Sequence, residues 1–511
     1  MFQAASSRLI SFGNTAKGFV TLGVVFLLFF LAWQYQTGIR VGDGAIKQQQ
    51  VADLLIQGFP DFSCRYFGKN FDPEFRFLPL TIEKGATMAH AYKGKCYYVF
   101  PFYYALIQAP FVFLLGRFGS FLVSIIFGTL TLYSLYLLTR ELKLGYRFRF
   151  LFLLFLLTGS TFTLFATDLS EYIISIGTVT YGFYFLFRDT KNGKTRDSIF
   201  AGLLFGFAAF FRQEVLLLAG SLSLAQAILK PKDIRLFWFP LSFGFLFLIQ
   251  AIINYLVVGH PLGSRGYLQS FNSQEYDLLA QAAFLWELLA FGHGSLGLLG
   301  AYPILIFTWR YAFQKNGNRI AYIGILFFIL FSAILTSTKF WQGVLFGPRF
   351  LLTVTPILLL YAIKSLEEAK FFEKKIHRIL AIALLSYSII GSVTYDVLYR
   401  KFTKSIIVER QELDLFSEKV IIYRNGSALF PPNSFERERM VFELSDEKEF
   451  DTLLNGLYKS GIVRFTMIGA KDFYSPETLI PHSHKFKISK ITFKKSPSIN
   501  METVEFRPIL K

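Results

Sequence analysis

Six histidines and two cysteines in 511 residues leave little material for a metal centre. His90, His260 and His293 stand far apart, without the close ligand spacing a zinc site needs, so no resident metal or cofactor is expected. The chain has no internal repeat and no low-complexity segment. That lack counts against a transporter, whose sequence tends to carry paired repeats and mid-bilayer charges. No cleavable signal is convincing, and the first apolar run is expected to be a retained anchor. Acids are scarce: 35 Asp and Glu stand against 53 Lys and Arg, a formal net charge of +18. Nucleic-acid binding is a poor explanation, because the basic residues punctuate apolar runs instead of forming one patch. The positive-inside rule and attraction to anionic membrane lipids account for them better. Methionine and tryptophan are rare, five of each beside 62 Phe, and Phe packs equally well against lipid and neighbouring helices.

What is present is hydrophobic length. With 53% hydrophobic residues, the chain reads as an α-helical polytopic membrane protein. About eleven apolar runs are visible, at roughly 18–35, 119–138, 148–166, 171–188, 198–211, 213–229, 236–258, 295–313, 319–337, 349–363 and 377–397. Basic clusters lie between alternate pairs, and placing all of them in the cytoplasm puts the N-terminus inside and the C-terminus outside. Residues 198–229 must then go out and come back on two short arms of roughly 21–26 Å, less than a hydrocarbon core of ~30 Å. Arg212-Gln213-Glu214 lies at the bend. An arginine inside a membrane costs about 2.5–3.5 kcal/mol and tends to face a functional site. The alternative is a local pairing of Arg212 with Glu214 that only holds the helix break.

Three outer segments are expected. The first, about 36–118, holds both cysteines, Cys64 and Cys96, and an oxidising outer compartment favours their bridge. Its aromatic end, Tyr97 to Tyr104, and the apolar stretch after it read as an interfacial helix. The second is about 259–294. The third is the tail, where composition turns polar and β-like runs flank a helical stretch from Glu447 to Ser460. Residues 1–398 are thus expected to form a transmembrane domain, and 399–511 a small soluble α/β domain.

Several segments together resemble the GT-C superfamily of membrane glycosyltransferases, in the branch of protein O-mannosyltransferases and aminoarabinose transferases. They are Gly42-Asp43 after the first helix, and Lys95 followed by Tyr98 and Pro101. The outer turn Asp168-Leu169-Ser170-Glu171-Tyr172 and the bend Phe211-Arg212-Gln213-Glu214 follow. Asn254-Tyr255 precedes Gly259-His260-Pro261-Leu262 and Gly266-Tyr267, and His293-Gly294-Ser295 precedes Pro303. Last come Trp341 and Phe346-Gly347-Pro348-Arg349. The matches run in order over residues 40–360 and leave the tail uncovered.

The resemblance implies a sugar donor linked to polyprenyl phosphate, a glycan, lipid or protein acceptor, and inverting transfer at the outer face of the cytoplasmic membrane. It also implies that Asp43 is the general base on the acceptor hydroxyl. A second acid often follows the first in this family, but Gly44 stands here, so Asp168 or Glu171 is the candidate for a second carboxylate. The departing phosphate needs fixed cations. Candidates are Lys47, Lys95, Arg212 and Arg349, and Tyr98 is a candidate to stack on the sugar. Each has a bland alternative: an ion pair of Lys47 with Asp43, a solvated Lys95, a snorkelling Arg349, a Tyr98 that marks the interface. A transporter or flippase of lipid-linked glycans is the competing function.

Overall fold

The structure is a computed structural model. It describes residues 15–34, 42–81, 88–271, 277–292, 294–314, 317–335, 346–413, 418–424, 439–444, 448–470, 483–495 and 499–509. His293 and Trp341 lie outside these residues.

In chain order the first helices are α1 (Ala16–Gln34) and α2 (Asp43–Gln57). The hairpin β1 (Ala89–Tyr92) and β2 (Lys95–Tyr98) follows, then α3 (Phe102–Leu115), α4 (Gly119–Glu141), α5 (Tyr146–Thr158) and α6 (Phe162–Thr167). Next come α7 (Tyr172–Asn192), α8 (Thr195–Ala209), α9 (Glu214–Leu229), α10 (Trp238–Val258), α11 (Gly263–Phe271) and α12 (Leu278–Leu289). A short hairpin, β3 (Phe291–Gly292) and β4 (Ser295–Leu296), leads to α13 (Leu298–Ala301), α14 (Gly317–Leu335), α15 (Thr355–Glu368) and α16 (Lys375–Leu413). The tail holds β5 (Val420–Arg424), β6 (Met440–Leu444), α17 (Lys448–Lys459), β7 (Arg464–Ala470), β8 (Phe486–Lys495) and β9 (Ile499–Pro508).

Five stretches among the described residues are long and apolar enough to cross a membrane: Ala16–Gln34, Phe102–Glu141, Trp238–Val258, Asn318–Leu335 and Lys375–Lys404. Together they make this an integral membrane protein. Several other apolar runs do not form one unbroken helix each. Run 148–166 divides into α5 and α6 around Gly159. Run 295–313 becomes β4, α13 and a 3-10 helix, Pro303–Ala312. Pro303 has no N–H to continue an α-helix. Gly297 and Gly300 let the chain press against the backbone of Glu287 and Ala290, where a side chain would collide. Runs 198–211 and 213–229, by contrast, form one helix each, α8 and α9, with residues 210–213 between them.

The chain divides into two compact units. The first comprises Met1–Thr37, Phe118–Ile253 and Asn272–Tyr399. It is helical, and its largest packing surfaces join α7 to α8, α4 to α7 and α9 to α14. Helix α8 meets α10 through small residues. A Cβ on Gly202 would strike the Phe239 carbonyl oxygen and the Ser242 hydroxyl. Close approach through glycine is what lets helices pack well where lipid offers no hydrophobic penalty for separation.

The second unit comprises Gly38–Arg117, Asn254–Phe271 and Arg400–Lys511. At its centre is a five-stranded sheet in the order β6-β5-β7-β9-β8, parallel between β6, β5 and β7 and antiparallel from β7 to β8. Strand residues alternate between its faces. Val420, Ile422, Phe442, Phe465, Met467 and Phe506 pack against Phe450, Leu453, Leu454 and Leu457 of α17. The other face, with Ile421, Tyr423, Val441, Ile468 and Met501, is covered by Leu78, Leu80, Ala89, Tyr98, Phe100 and Ile46 from the segment before α4. The edge strand β6 is covered too: the Glu443 N–H donates to the Phe77 carbonyl at 2.9 Å, and the Leu80 N–H to Glu443 Oε2 at 2.9 Å. The tail and the 38–117 segment therefore share one core, an association that the sequence pattern, which placed them in separate domains, did not reveal.

Cys64 and Cys96 are joined in a disulfide, with Cα atoms 5.2 Å apart across 32 residues of sequence. The Cys64 N–H also donates to the Cys96 carbonyl at 2.8 Å.

Candidate active site

Asp43 is the first residue of α2, following Gly42 at φ +55°. A left-handed turn of this kind suits glycine and turns the chain into the helix. The half-buried Asp43 carboxylate lies at the positive end of the helix, where four N–H groups lack helical partners. Lys47 follows one turn later and is 1% exposed. Its Nζ lies 4.6 Å from the centre of the Phe100 ring and 5.9 Å from that of Tyr104. The Arg265 guanidinium on α11 lies 5.7 Å from the same Phe100 ring. Two cations from segments about 220 residues apart thus converge on one aromatic ring, an arrangement each favours through the ring's negative face. Gln50, on the same side of α2 as Asp43, donates to the Phe100 carbonyl at 3.1 Å.

Asp53 lies further along α2 and is 1% exposed. Its carboxylate accepts from the Arg65 Nε at 2.8 Å, the Arg65 backbone N–H at 3.1 Å, the Tyr98 hydroxyl at 2.6 Å and Gln49 at 2.6 Å. Burial, and then the Asp53 charge, push the Tyr98 phenol well above its ordinary value, so it stays a donor. The Tyr98 hydroxyl is thereby committed to Asp53. Lys95 is half exposed and pairs with Asp61 at 2.8 Å. Partial burial works to raise the Asp61 carboxyl, but bonds from Lys95 and Ser63 outweigh it and hold it below the usual range.

The other four candidates lie in the helical unit. Glu171 is fully buried just before α7, and Arg212 is 6% exposed between α8 and α9. Arg212 donates to Glu171 Oε1 at 2.9 Å and to Glu214 Oε1 at 2.7 Å, and also bonds the Tyr172 hydroxyl. Its guanidinium lies 3.8 Å from the centre of the Tyr172 ring. Arg349, opening a 3-10 turn, lies 5.3 Å from that same ring. Four buried side chains, Glu171, Tyr172, Arg212 and Glu214, thus form one cluster with the half-buried Arg349. The pairing of Arg212 with Glu214, the bland alternative read from the sequence, is present, and Glu171 joins it. Asp168 ends α6 half-buried, accepts from the Leu169 N–H at 2.9 Å, and has the Tyr399 hydroxyl at 3.5 Å. Among the described residues, no group of three His, Cys, Asp or Glu side chains is placed to hold a metal ion.

No protein-family model and no curated protein matches the chain. Solved structures do. ArnT from Cupriavidus metallidurans bound to undecaprenyl phosphate matches with a TM-score of 0.54 at 12% identity, over 96% of this chain and 98% of that one. The same protein in its apo state matches with a TM-score of 0.57 at 12% identity, with the same coverage. AglB, the oligosaccharyltransferase of Archaeoglobus fulgidus, in complex with an inhibitory peptide and a dolichol-phosphate, matches with a TM-score of 0.51 at 10% identity, over 88% of this chain and 69% of that one. Both are GT-C membrane glycosyltransferases.

The chain has the GT-C fold. The GT-C resemblance rested on residues 40–360, whereas the structural match to ArnT extends over nearly the whole chain. Of the residues that now stand out, Arg265, Asp53, Arg65, Glu214 and Tyr172 were not chosen as site residues from the sequence. Arg265 directly precedes the quoted Gly266-Tyr267 pair, and Glu214 and Tyr172 were quoted within motifs. Asp53 and Arg65 carried no signal, because an acid in a helix and an arginine in a loop are unremarkable until folded together.

Proposed function

We propose that this protein is a glycosyltransferase that moves a sugar from a polyprenyl-phosphate-linked donor to a glycan, lipid or protein acceptor, with inversion. The acceptor oxygen attacks the anomeric carbon as the bond from that carbon to the phosphate oxygen breaks. Asp43 takes the acceptor proton, and the electron pair of the broken bond leaves on the phosphate. Lys47 and Arg265 hold that phosphate. The observation that carries this reading is that Lys47, one helical turn from Asp43, and Arg265 both lie against the Phe100 ring. Contacts of a lysine ammonium and an arginine guanidinium with a phosphate are charge-assisted, and so stronger than neutral ones. The undecaprenyl phosphate and dolichol-phosphate bound by ArnT and AglB support the donor class.

In the helical unit, Asp168 is our candidate for a second carboxylate. Glu171 and Arg212 are bound to each other, and their role in this reading is to hold the break between α8 and α9. Lys95 is kept as a secondary phosphate ligand, Tyr98 as a residue of the donor-binding region, and Arg349 as a candidate cation of the helical unit. The orientation that fits the basic clusters puts the N-terminus in the cytoplasm of a bacterial cell, the active site and tail outside its inner membrane.

The test is transfer by purified protein offered a panel of polyprenyl-phosphate sugars. Asp43→Asn should lose turnover by about 100-fold or more while still binding the donor lipid. Lys47→Met and Arg265→Met should each weaken donor binding, by roughly 10-fold. Full transfer by Asp43→Asn would remove it as the base, and movement of a lipid-linked glycan across a vesicle bilayer without transfer would favour the flippase.

A further inference from the structure

We propose that Asp53 is a positioning residue that sets the rotation of α2, and that it does so through the two disulfide-linked segments. The proposal rests on the reading of Asp43 and Lys47 given above and deepens it. Asp53 touches neither candidate group. Its four donors come from three places: Gln49 on its own helix, Arg65 one residue past Cys64, and Tyr98 two residues past Cys96. The disulfide therefore ties together the two segments that deliver three of those four bonds. A fully buried carboxylate with this many donors is held in one geometry, since each lost bond leaves a charged group unsatisfied.

The consequence passes along a stiff rod. Asp53 is six residues from Lys47 and ten from Asp43, about 9 and 15 Å along the axis of one helix. Apolar packing holds α2 less directionally: Ile46 enters the core shared with the tail sheet, and Val51 and Leu54 pack against Ala105 of α3. Apolar contacts resist separation but weakly resist rotation about the helix axis, whereas a hydrogen-bonded carboxylate fixes it. Rotating α2 would carry Asp43 and Lys47 away together, and displacement of about 1 Å can cost ~100-fold in rate.

The experiment compares wild type, Asp53→Asn, Tyr98→Phe, Asp43→Asn and the Asp43→Asn/Asp53→Asn double variant, in full-length protein in detergent. Amide hydrogen exchange over residues 43–50 is read alongside transfer. Asp53→Asn should speed that exchange at least 10-fold and lower kcat roughly 10–100-fold. In the Asp43→Asn background the same change should cost less than it does in wild type, because only the displacement of Lys47 is then left to lower transfer. Tyr98→Phe removes one donor and leaves the Arg65 pair, so it keeps the question open to measurement if Asp53→Asn does not fold; it should show the same pattern, smaller. Unchanged exchange over 43–50 in both variants, or losses that multiply in the double variant, would overturn the proposal. Full activity of Asp43→Asn with fast exchange in Asp53→Asn would instead overturn the assignment of Asp43 and leave the positioning intact.

Discussion

Replacing Arg212 by methionine removes the guanidinium at the centre of the ionic cluster in the helical unit. Methionine keeps most of the volume and removes the charge and every donor. Glu171, fully buried, and Glu214, 4% exposed, then lose the guanidinium that both of them bind. Removing one partner of a buried ionic cluster costs about 3–5 kcal/mol, because the remaining charge stays desolvated. At about 2 °C per kcal/mol for a unit of this size, the melting temperature should fall by roughly 6–10 °C. The informative control is the triple variant Arg212→Met/Glu171→Gln/Glu214→Gln, which removes Arg212 together with the two carboxylates that bind it. Replacing a whole buried ionic group by neutral side chains is often close to neutral, so the triple variant should recover at least half of the loss. The assay is a tryptophan-fluorescence melt of purified protein in one detergent, at one pH, for all three proteins. A single variant that melts within about 2 °C of wild type would refute the reasoning, since the cluster would then not be holding the helix break. A triple variant as unstable as the single would show that shape, not charge, is what Arg212 supplies.

Other outcomes follow from the same structure. His90 is 4% exposed, and burial lowers its pKa to about 4, from 6.5. Its unfolded form takes up a proton below pH 6.5 and its folded form only near 4, so stability should fall as pH drops through that window, by about 3 kcal/mol in all. His90→Phe, which keeps a ring against Tyr267, 4.7 Å away in the wild type, should flatten the melting temperature between pH 7 and 5. Cys64→Ser/Cys96→Ser opens a loop of 32 residues and should cost roughly 3–4 kcal/mol, read as a lower melting temperature and faster proteolysis of the 38–117 segment. Gly202→Leu should prevent α8 from meeting α10 and abolish a folded, monodisperse protein in size-exclusion chromatography, whereas a substitution at Gly220, which has open space beside it, should be tolerated.

Hydropathy and charge settled what kind of molecule this is. The apolar runs located most helices, the charged triplet Arg212-Gln213-Glu214 marked the break between α8 and α9, and the change to polar alternation marked the α/β tail. Two cysteines in one loop pointed to the bridge that forms. These features are local, set by side-chain periodicity and by the cost of putting charge in lipid, and a single sequence displays them. Glycine and proline placed inside apolar runs were legible too, but their effect depended on what lay opposite: Gly297 and Gly300 break the run 295–313 because Glu287 and Ala290 press against them. Packing alone decided the rest. Val420 to Tyr423 reads as a strand buried on both faces, yet nothing in those residues says that the second face is covered by a segment some 340 positions earlier. The bond from Leu80 to Glu443 spans 363 residues, and Lys47 and Arg265, each against the Phe100 ring, stand 218 apart in sequence. Asp43 and Asp53 look alike as letters on one helix. Only the folded chain separates them, because the donors that surround Asp53 come from segments that share no pattern with it and meet it solely through tertiary closure.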